Sequence, residues 1–419
     1  MSTHPSSPQP AVDLDKEAGA GNRQLSGIYL QLATVLAIAI SAYAIYANAL
    51  SNTQEFYRNT TFLSGILILG FILFPFSARH ATRSFNRWDY LFIILTLVSY
   101  GYFYVNYVDL HVVRKSIPNA TDYVMAAIGI GVLFEAARRT TGYFIPGLAS
   151  FAILYALFGQ YFMGIFGHGG FSVERLLYRL FMTSEGIFGI TLSTASTAIV
   201  VFILFGAFLS VSGATALFND LALAAAGRRR GGPAQVAVIS SALTGSLSGS
   251  AVANVATTGT FTIPLMKSIG LSSRFAGAVE ATASTGGMIM PPIMGAAAFI
   301  MAGFLGISYT TIVIAAIVPA LLYYAALIMA IDLEAKKQGL KGINKENIPQ
   351  VRAVLKARGL LLLPLVIVIG TLLLGKTPIY AGFLGIIAII VASWLTPDSS
   401  VRMTPKKIAL ALNDAARGS

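Results

Sequence analysis

The chain consists largely of apolar blocks of about 17–25 residues, and that feature leaves few folds open. A helix rising about 1.5 Å per residue needs such a run to cross a hydrocarbon core of about 30 Å. The blocks fall at 28–48, 62–78, 89–106, 122–137, 143–164, 187–210, 309–331, 359–375 and 378–396, with an irregular region at 233–305. Composition agrees: 56% of residues are hydrophobic and 11% charged, too little charge to give a soluble protein its surface. The expected fold is an all-α polytopic membrane protein of about ten spans plus one re-entrant helical hairpin and one discontinuous helix. The chain has no cysteine, which excludes disulfides, thiolate chemistry and cysteine-based metal sites.

A net charge of +12 raises the question of nucleic acid, but the distribution of the charge points to topology instead. With the N-terminus cytoplasmic and 233–266 entering and leaving on one side, only Arg58, Arg114, Lys115, Arg175, Arg179 and Lys376 of the 29 basic residues face outward. This is the asymmetry of the positive-inside rule. A simple span at 233–266 would flip every later loop and put the basic segment 332–358 outside. Residues 1–27 read as a disordered cytoplasmic tail. A cleaved signal peptide is the alternative, since Ala47-Asn48-Ala49 fits the cleavage pattern. The polar lead is long, however, and the apolar run after Gly27 is long enough to span.

The irregular region has two anomalies. In "TGSLSGSAVANVATTG", Thr244 to Gly259, small polar residues and glycines sit inside an apolar segment. Pro233 suits a first helical turn, and the run from there to Gly245 is about 18 Å, part of the way through a bilayer. A polar tip and a returning arm to Pro264 and Lys267 complete a hairpin. The alternative is one ordinary helix with small-residue packing faces. In "STGGMIMPP", Ser284 to Pro292, paired glycines and prolines interrupt the run 275–305. Such a helix unwinds near its middle, or is merely kinked by proline.

Non-helical backbone at membrane depth is tolerated where protein buries it or where it lines a cavity, and transporters use such breaks to build midplane sites. The first arm, ending near Gly245–Leu247, presents carbonyls suited to a cation. The second, starting near Ala253–Val255, presents its positive end to an anion. The candidate ion-binding residues are Ser246, Ser248, Ser250, Asn254, Thr285 and Gly287, mostly uncharged oxygen donors of the kind sodium prefers. The candidate substrate residues are Ser250, Ala253, Asn254, Thr257, Ser284, Met290 and Pro291. No catalytic residue and no cofactor is expected.

The stretches "SSALTGSLSGSAVANVATTGTFTIPLMKSIG" and "GAVEATASTGGMIMPPIMGAAAFIMA" resemble the large permease subunit of tripartite ATP-independent periplasmic (TRAP) transporters, most closely the fused permeases of the TAXI branch. The resemblance implies sodium-coupled uptake of small organic anions, mostly carboxylates, an elevator-type architecture, an inner-membrane location and a periplasmic TAXI-type substrate-binding protein. It also implies a division into a small-subunit-like region with an extra span at 28–165 and a first repeat of the large domain at 166–396. That repeat holds the hairpin 233–266 and a broken helix 273–305. The segment 397–419 then reads as the start of a second-repeat amphipathic arm, which makes a truncated or split permease, with a separately encoded second half, the expectation.

The remaining features are less specific. Glu280, an acid deep in an apolar run, either braces the ion site, takes a proton, or pairs structurally with Arg274 or a backbone group. Asp89, Asp122 and Glu135 lie near span ends and read as helix caps or partners of loop arginines. The four histidines have no metal-ligand spacing. Segments 171–185 and 404–416 read as amphipathic helices, the first lying along an interface. The run GRRRGG, from Gly227 to Gly232, reads as a topogenic cytoplasmic loop rather than a phosphate or nucleic-acid site. Two function classes follow: an ion-driven permease, and a membrane scaffold or remnant without transport. A channel is a distant third.

Overall fold

The computed structural model describes residues 23, 25–76, 85–340, 342–343, 346 and 348–418. Most of the expected tail and the end of the expected 62–78 span lie outside them. Every regular element among the described residues is helical. In chain order, the elements before the irregular region are α1 (Ile28–Leu50), α2 (Glu55–Leu73), α3 (Arg87–Val113), α4 (Ala120–Thr141), α5 (Phe144–Tyr161), α6 (Val173–Phe181), α7 (Ile190–Val211) and α8 (Ala214–Ala226). The irregular region forms α9 (Gly232–Ser248), α10 (Ala251–Ser268), α11 (Ser273–Gly287) and α12 (Ala296–Leu305). The chain closes with α13 (Tyr309–Lys337), α14 (Val351–Leu373), α15 (Pro378–Leu395) and α16 (Pro405–Gly418).

Nine of these helices among the described residues are long and apolar enough to cross a bilayer. Their apolar side chains do not all find protein partners. The 144–158 part of α5 buries no residue, and Val105 of α3 and Val318 of α13 are more than half exposed. Apolar surface on this scale is stable only against lipid, and the chain is a multi-pass membrane protein.

Several boundaries differ from those the apolar runs suggest. α2 begins at Glu55 rather than near 62: in its polar first turns Thr60 Oγ1 donates to Phe56 O at 2.7 Å and buried Asn59 accepts from Ser196 Oγ at 2.5 Å, while Arg58 Nε and Asn59 Nδ2 are buried without a partner. α8, apolar but too short to span, fills a stretch outside the expected spans. α16 packs its apolar face on α1 and α7, with Ala411 and Ala415 buried and Ser41 Oγ donating to Leu412 O at 2.6 Å. Its amphipathic pattern is therefore met by protein.

The acids near span ends do cap and pair. Asp89 completes a capping box with Asn86 at the start of α3 and holds Arg23 at 2.7 Å and Arg139 at 2.6 Å, all almost wholly buried. Glu135 takes Arg138 and Arg139, each at 2.7 Å, and those arginines also donate to Phe74 O and Phe76 O beyond the end of α2. Asp122 caps α4 and accepts from Arg114.

The region 232–305 places the site. α9 and α10 form an antiparallel helical hairpin closed by Gly249 and Ser250 alone. Its arms have 17 and 18 residues, about 25 Å each, longer than glycine content suggests. Gly245 does not break α9, because a helix tolerates one glycine at a cost of about 1 kcal/mol. Gly249 breaks it instead: its left-handed φ of 64° makes the turn, and Ser250 Oγ caps α10 by accepting from Ala253 N at 3.3 Å. α11 starts from the end to which the hairpin returns and runs beside both arms. The chain then leaves the helix at residues 288–295, just after the paired glycines, and resumes as α12.

Candidate functional site

Three helices meet around one carboxylate. Glu280 of α11 is fully buried and accepts from Ser241 Oγ on α9 at 2.9 Å, Thr258 Oγ1 and Thr262 Oγ1 on α10 at 2.5 Å each, and Ser284 Oγ on α11 at 3.2 Å. No cation touches it, and Arg274 does not pair with it among the described residues. A carboxylate buried without a counter-ion is costly unless hydrogen bonds take up its charge, and here hydroxyl donors do so. The cage joins both arms of the hairpin to the broken helix. Small residues let these backbones close in: Ala237, Ala276 and Ala283 are all fully buried in the same cluster.

Just beyond the cage the backbones touch. A Cβ on Gly245 would stand 2.8 Å from Gly287 Cα and 2.7 Å from Asn254 Nδ2. Asn254, fully buried, uses that nitrogen to donate to Ser241 O at 2.9 Å, while its Oδ1 is buried with no partner. Thr244 Oγ1, one turn along α9, is a second buried oxygen without one. Buried polar atoms of this kind are rare enough to need an explanation.

The hairpin turn and the unwound segment hold each other. Ile293 N donates to Ser246 O at 3.2 Å, and Gly249 lies so close to Met294 that a Cβ there would meet Met294 O at 2.4 Å. Tyr309 OH, from α13, donates to Pro292 O at 3.1 Å and contacts Ile293 O. Behind the break, Tyr323 and Tyr324 donate to Thr282 O and Ala283 O at 2.8 and 2.9 Å. A cavity of about 470 Å³ opens beside the turn, between α7, α8, the hairpin and the start of α12, with Met294 of the unwound segment in its lining. Thr244, Ser248, Ser250, Ala253 and Thr257 line it, with Asp414 of α16 at its edge. Burial raises the Asp414 carboxyl above its ordinary range.

The residues singled out in the sequence thus divide. Ser248, Ser250, Ala253 and Thr257 share the cavity, while Asn254, Ser284 and Gly287 belong to the buried contact and cage. Others are not brought in: Ser246 Oγ donates to Leu243 O at 2.9 Å, exposed Thr285 donates to Ala281 O at 2.8 Å, and Met290 packs against the alanine cluster. Pro291, half-buried in the break, does not line the cavity. Sequence reasoning missed Ser241, Thr244, Thr258, Thr262 and Asp414. Part of the signal was present: Asn254, Thr258 and Thr262 recur every four residues, as do Glu280 and Ser284, so each set shares a helical face.

A bundle of apolar spans around a helical hairpin and a broken helix, with polar groups converging at the two breaks, is the build of a membrane carrier. The family model of the DctM component of the tripartite ATP-independent periplasmic transporter matches residues 128–419, and the chain belongs to that family. Its members are transporters, not enzymes. A putative TRAP transporter large permease protein of Haemophilus influenzae is 31% identical over 223 residues, 52% of each chain. The C4-dicarboxylate TRAP transporter large permease protein DctM of Pseudomonas aeruginosa is 31% identical over 240 residues, 56% of this chain and 53% of that one. The 2,3-diketo-L-gulonate TRAP transporter large permease protein YiaN of Escherichia coli is 29% identical over 176 residues, 41% and 40% of the two chains. The chain spans about half the length of the first two of these curated relatives.

Proposed function

We propose that the chain is a membrane permease component of a sodium-coupled importer of small organic anions. The hairpin 232–268 is re-entrant, the N-terminus is cytoplasmic, and α1 to α5 act as the counterpart of a small permease subunit. A periplasmic binding protein of the TAXI type delivers the substrate, and the hairpin region moves relative to the spans as in an elevator. One observation carries the reading: the hairpin turn and the break after Gly287 meet beside a cavity, with two buried uncharged oxygens, Asn254 Oδ1 and Thr244 Oγ1, left without protein partners. Such oxygens suit a sodium ion, which is cargo here and not a resident cofactor. The N-terminus of α10 lies at the same cavity and suits a carboxylate. The names of the relatives, a C4-dicarboxylate and a 2,3-diketo-L-gulonate permease, agree in substrate class.

The first test is sodium binding by the purified chain. Ligand that binds only the folded state stabilises it by about 2.7 kcal/mol at 100 times its Kd. Sodium, but not potassium or choline, should raise the melting temperature, and Asn254→Ala should remove that response. The second test is uptake of carboxylates into liposomes under a sodium gradient with a binding protein present. A sodium-insensitive melt together with sodium-independent uptake would defeat the coupling.

A further inference from the structure

The candidate site leaves one charged cluster unused. The loop from α8 to α9 carries Arg228, Arg229 and Arg230 in succession, all exposed. Arg230 pairs with Asp332 at 3.2 Å, whereas Arg228 and Arg229 have no side-chain partner among the described residues. The loop is nevertheless held firmly. Gly231, at a left-handed φ of 63°, lies so close to α13 that a Cβ there would meet Ala335 Cβ at 2.7 Å. Gln235 Nε2 donates to Arg230 O at 3.2 Å.

Beside Arg229 and Arg230 lies a shallow, open groove of about 760 Å³. Arg229, Arg230 and Asp332 stand at its polar end, and Ala325, Ile328 and Met329 of α13 form its apolar wall. The wall does not stop there. Leu321, Val318 and Ile314, all exposed, continue the same helical face at spacings of three and four residues. From Leu321 to Asp332 the face is about 16 Å long, close to the depth of one leaflet of a bilayer whose core is about 30 Å. Arg230 neutralises Asp332, so the mouth of the groove is left net positive, and the N-terminal end of α9 adds to that potential.

We infer that this groove binds one anionic phospholipid of the adjoining leaflet, with Arg229 on the headgroup phosphate, Arg228 adding to the positive potential of the loop, and an acyl chain along the α13 face. Charge complementarity and leaflet-length apolar wall together select a lipid. A free phosphate would need the arginines but not the wall, and a neutral lipid the wall but not the arginines. The bound lipid ties the base of the hairpin to α13, since the loop runs directly into α9. Basic pockets between spanning helices are known to hold anionic headgroups in this way.

The test uses the full chain purified in a non-ionic detergent and titrated with phosphatidylglycerol, phosphatidylcholine or glycerophosphoglycerol, with bound molecules counted by native mass spectrometry. Wild type should retain one phosphatidylglycerol in preference to phosphatidylcholine. The double variant Arg228→Gln, Arg229→Gln should bind it about tenfold more weakly, while the charge-matched variant Arg402→Gln, Lys406→Gln should bind as wild type does. Ala325→Trp, at an exposed position that accepts the larger side chain, should also weaken binding with the charge unchanged. Equal retention of phosphatidylcholine would overturn the inference. So would binding of glycerophosphoglycerol as tightly as the lipid, or unaltered retention in both the arginine and tryptophan variants.

Discussion

Gly245 and Gly287 meet backbone to backbone: a Cβ on either would lie within 2.8 Å of the other's Cα. This is where the first hairpin arm touches the end of α11, one residue before the chain unwinds. Neither position has room for a methyl group: on Gly287 it would meet only main chain, and on Gly245 it would meet the Gly287 main chain and the buried, hydrogen-bonded Asn254 amide. Gly245→Ala and Gly287→Ala are each expected to destabilise the protein by about 1–3 kcal/mol. Gly277→Ala lies on the same helix with nothing within 4 Å, and should stabilise it by up to about 1 kcal/mol. Thermal unfolding in detergent reads the difference. A Gly287→Ala variant that melts with wild type would mean that the two elements are not in contact.

The hydroxyl cage predicts a graded response at Glu280. Glu280→Ala removes the acceptor shared by α9, α10 and α11. Thr258 and Thr262 can fall back on Asn254 O and Thr258 O, at 2.8 and 3.0 Å, and Ser241 on Thr258 Oγ1 at 3.0 Å, but Ser284 loses its side-chain partner inside a buried contact. The cost should be about 2–4 kcal/mol. Glu280→Gln keeps the shape and one acceptor oxygen, and should cost less than half as much. Denaturant unfolding monitored by tryptophan or tyrosine emission measures both. Stability unchanged in the alanine variant would remove the cage as a fastening between hairpin and broken helix.

Two acid–arginine contacts test burial against exposure. Asp89 holds Arg23 and Arg139 with all three side chains at most 1% exposed, whereas the Arg230–Asp332 pair is about two-fifths exposed. Asp89→Ala strands the buried Arg23 guanidinium, leaves Arg139 with Glu135 as its remaining carboxylate, and also opens the capping box of α3, so a loss of about 3–5 kcal/mol is expected. Asp332→Ala removes a solvent-screened pair and should cost at most about 1 kcal/mol. Melting of the two variants side by side decides the matter, and equal losses would contradict the burial argument.

The apolar blocks made the membrane class legible, because block length maps directly onto bilayer thickness. The prolines and paired glycines of 286–292 made the broken helix legible, because they act through local backbone geometry. The hairpin turn was legible in kind but not in place. Gly245, Ser246 and Ser248 looked like an open polar tip, yet Ser246 bonds back to its own helix and Gly245 serves a packing contact that depends on a residue 42 positions later. Ser241, Thr258 and Thr262 were illegible as a site because each is an ordinary helical hydroxyl until Glu280 is placed among them. Asp414 lines the cavity only because α16 folds back onto α7, a tertiary choice that its amphipathic pattern does not reveal.

The hairpin makes a topological prediction that can be read without transport. Its arms are antiparallel and joined by two residues, so Arg229, before α9, and Ser268, at the end of α10, should face the same compartment. The charge asymmetry of the loops assigns that compartment to the cytoplasm and Lys376, between α14 and α15, to the opposite side. The chain has no cysteine, so single cysteines report cleanly. In intact cells an impermeant maleimide should label Lys376→Cys, and should reach Arg229→Cys and Ser268→Cys only after permeabilisation. Ser248→Cys, half-buried in the cavity, should react more slowly than any of them. Labelling of Arg229→Cys and Ser268→Cys from opposite sides would turn the hairpin into a crossing element, and every later loop would have to change compartment with it.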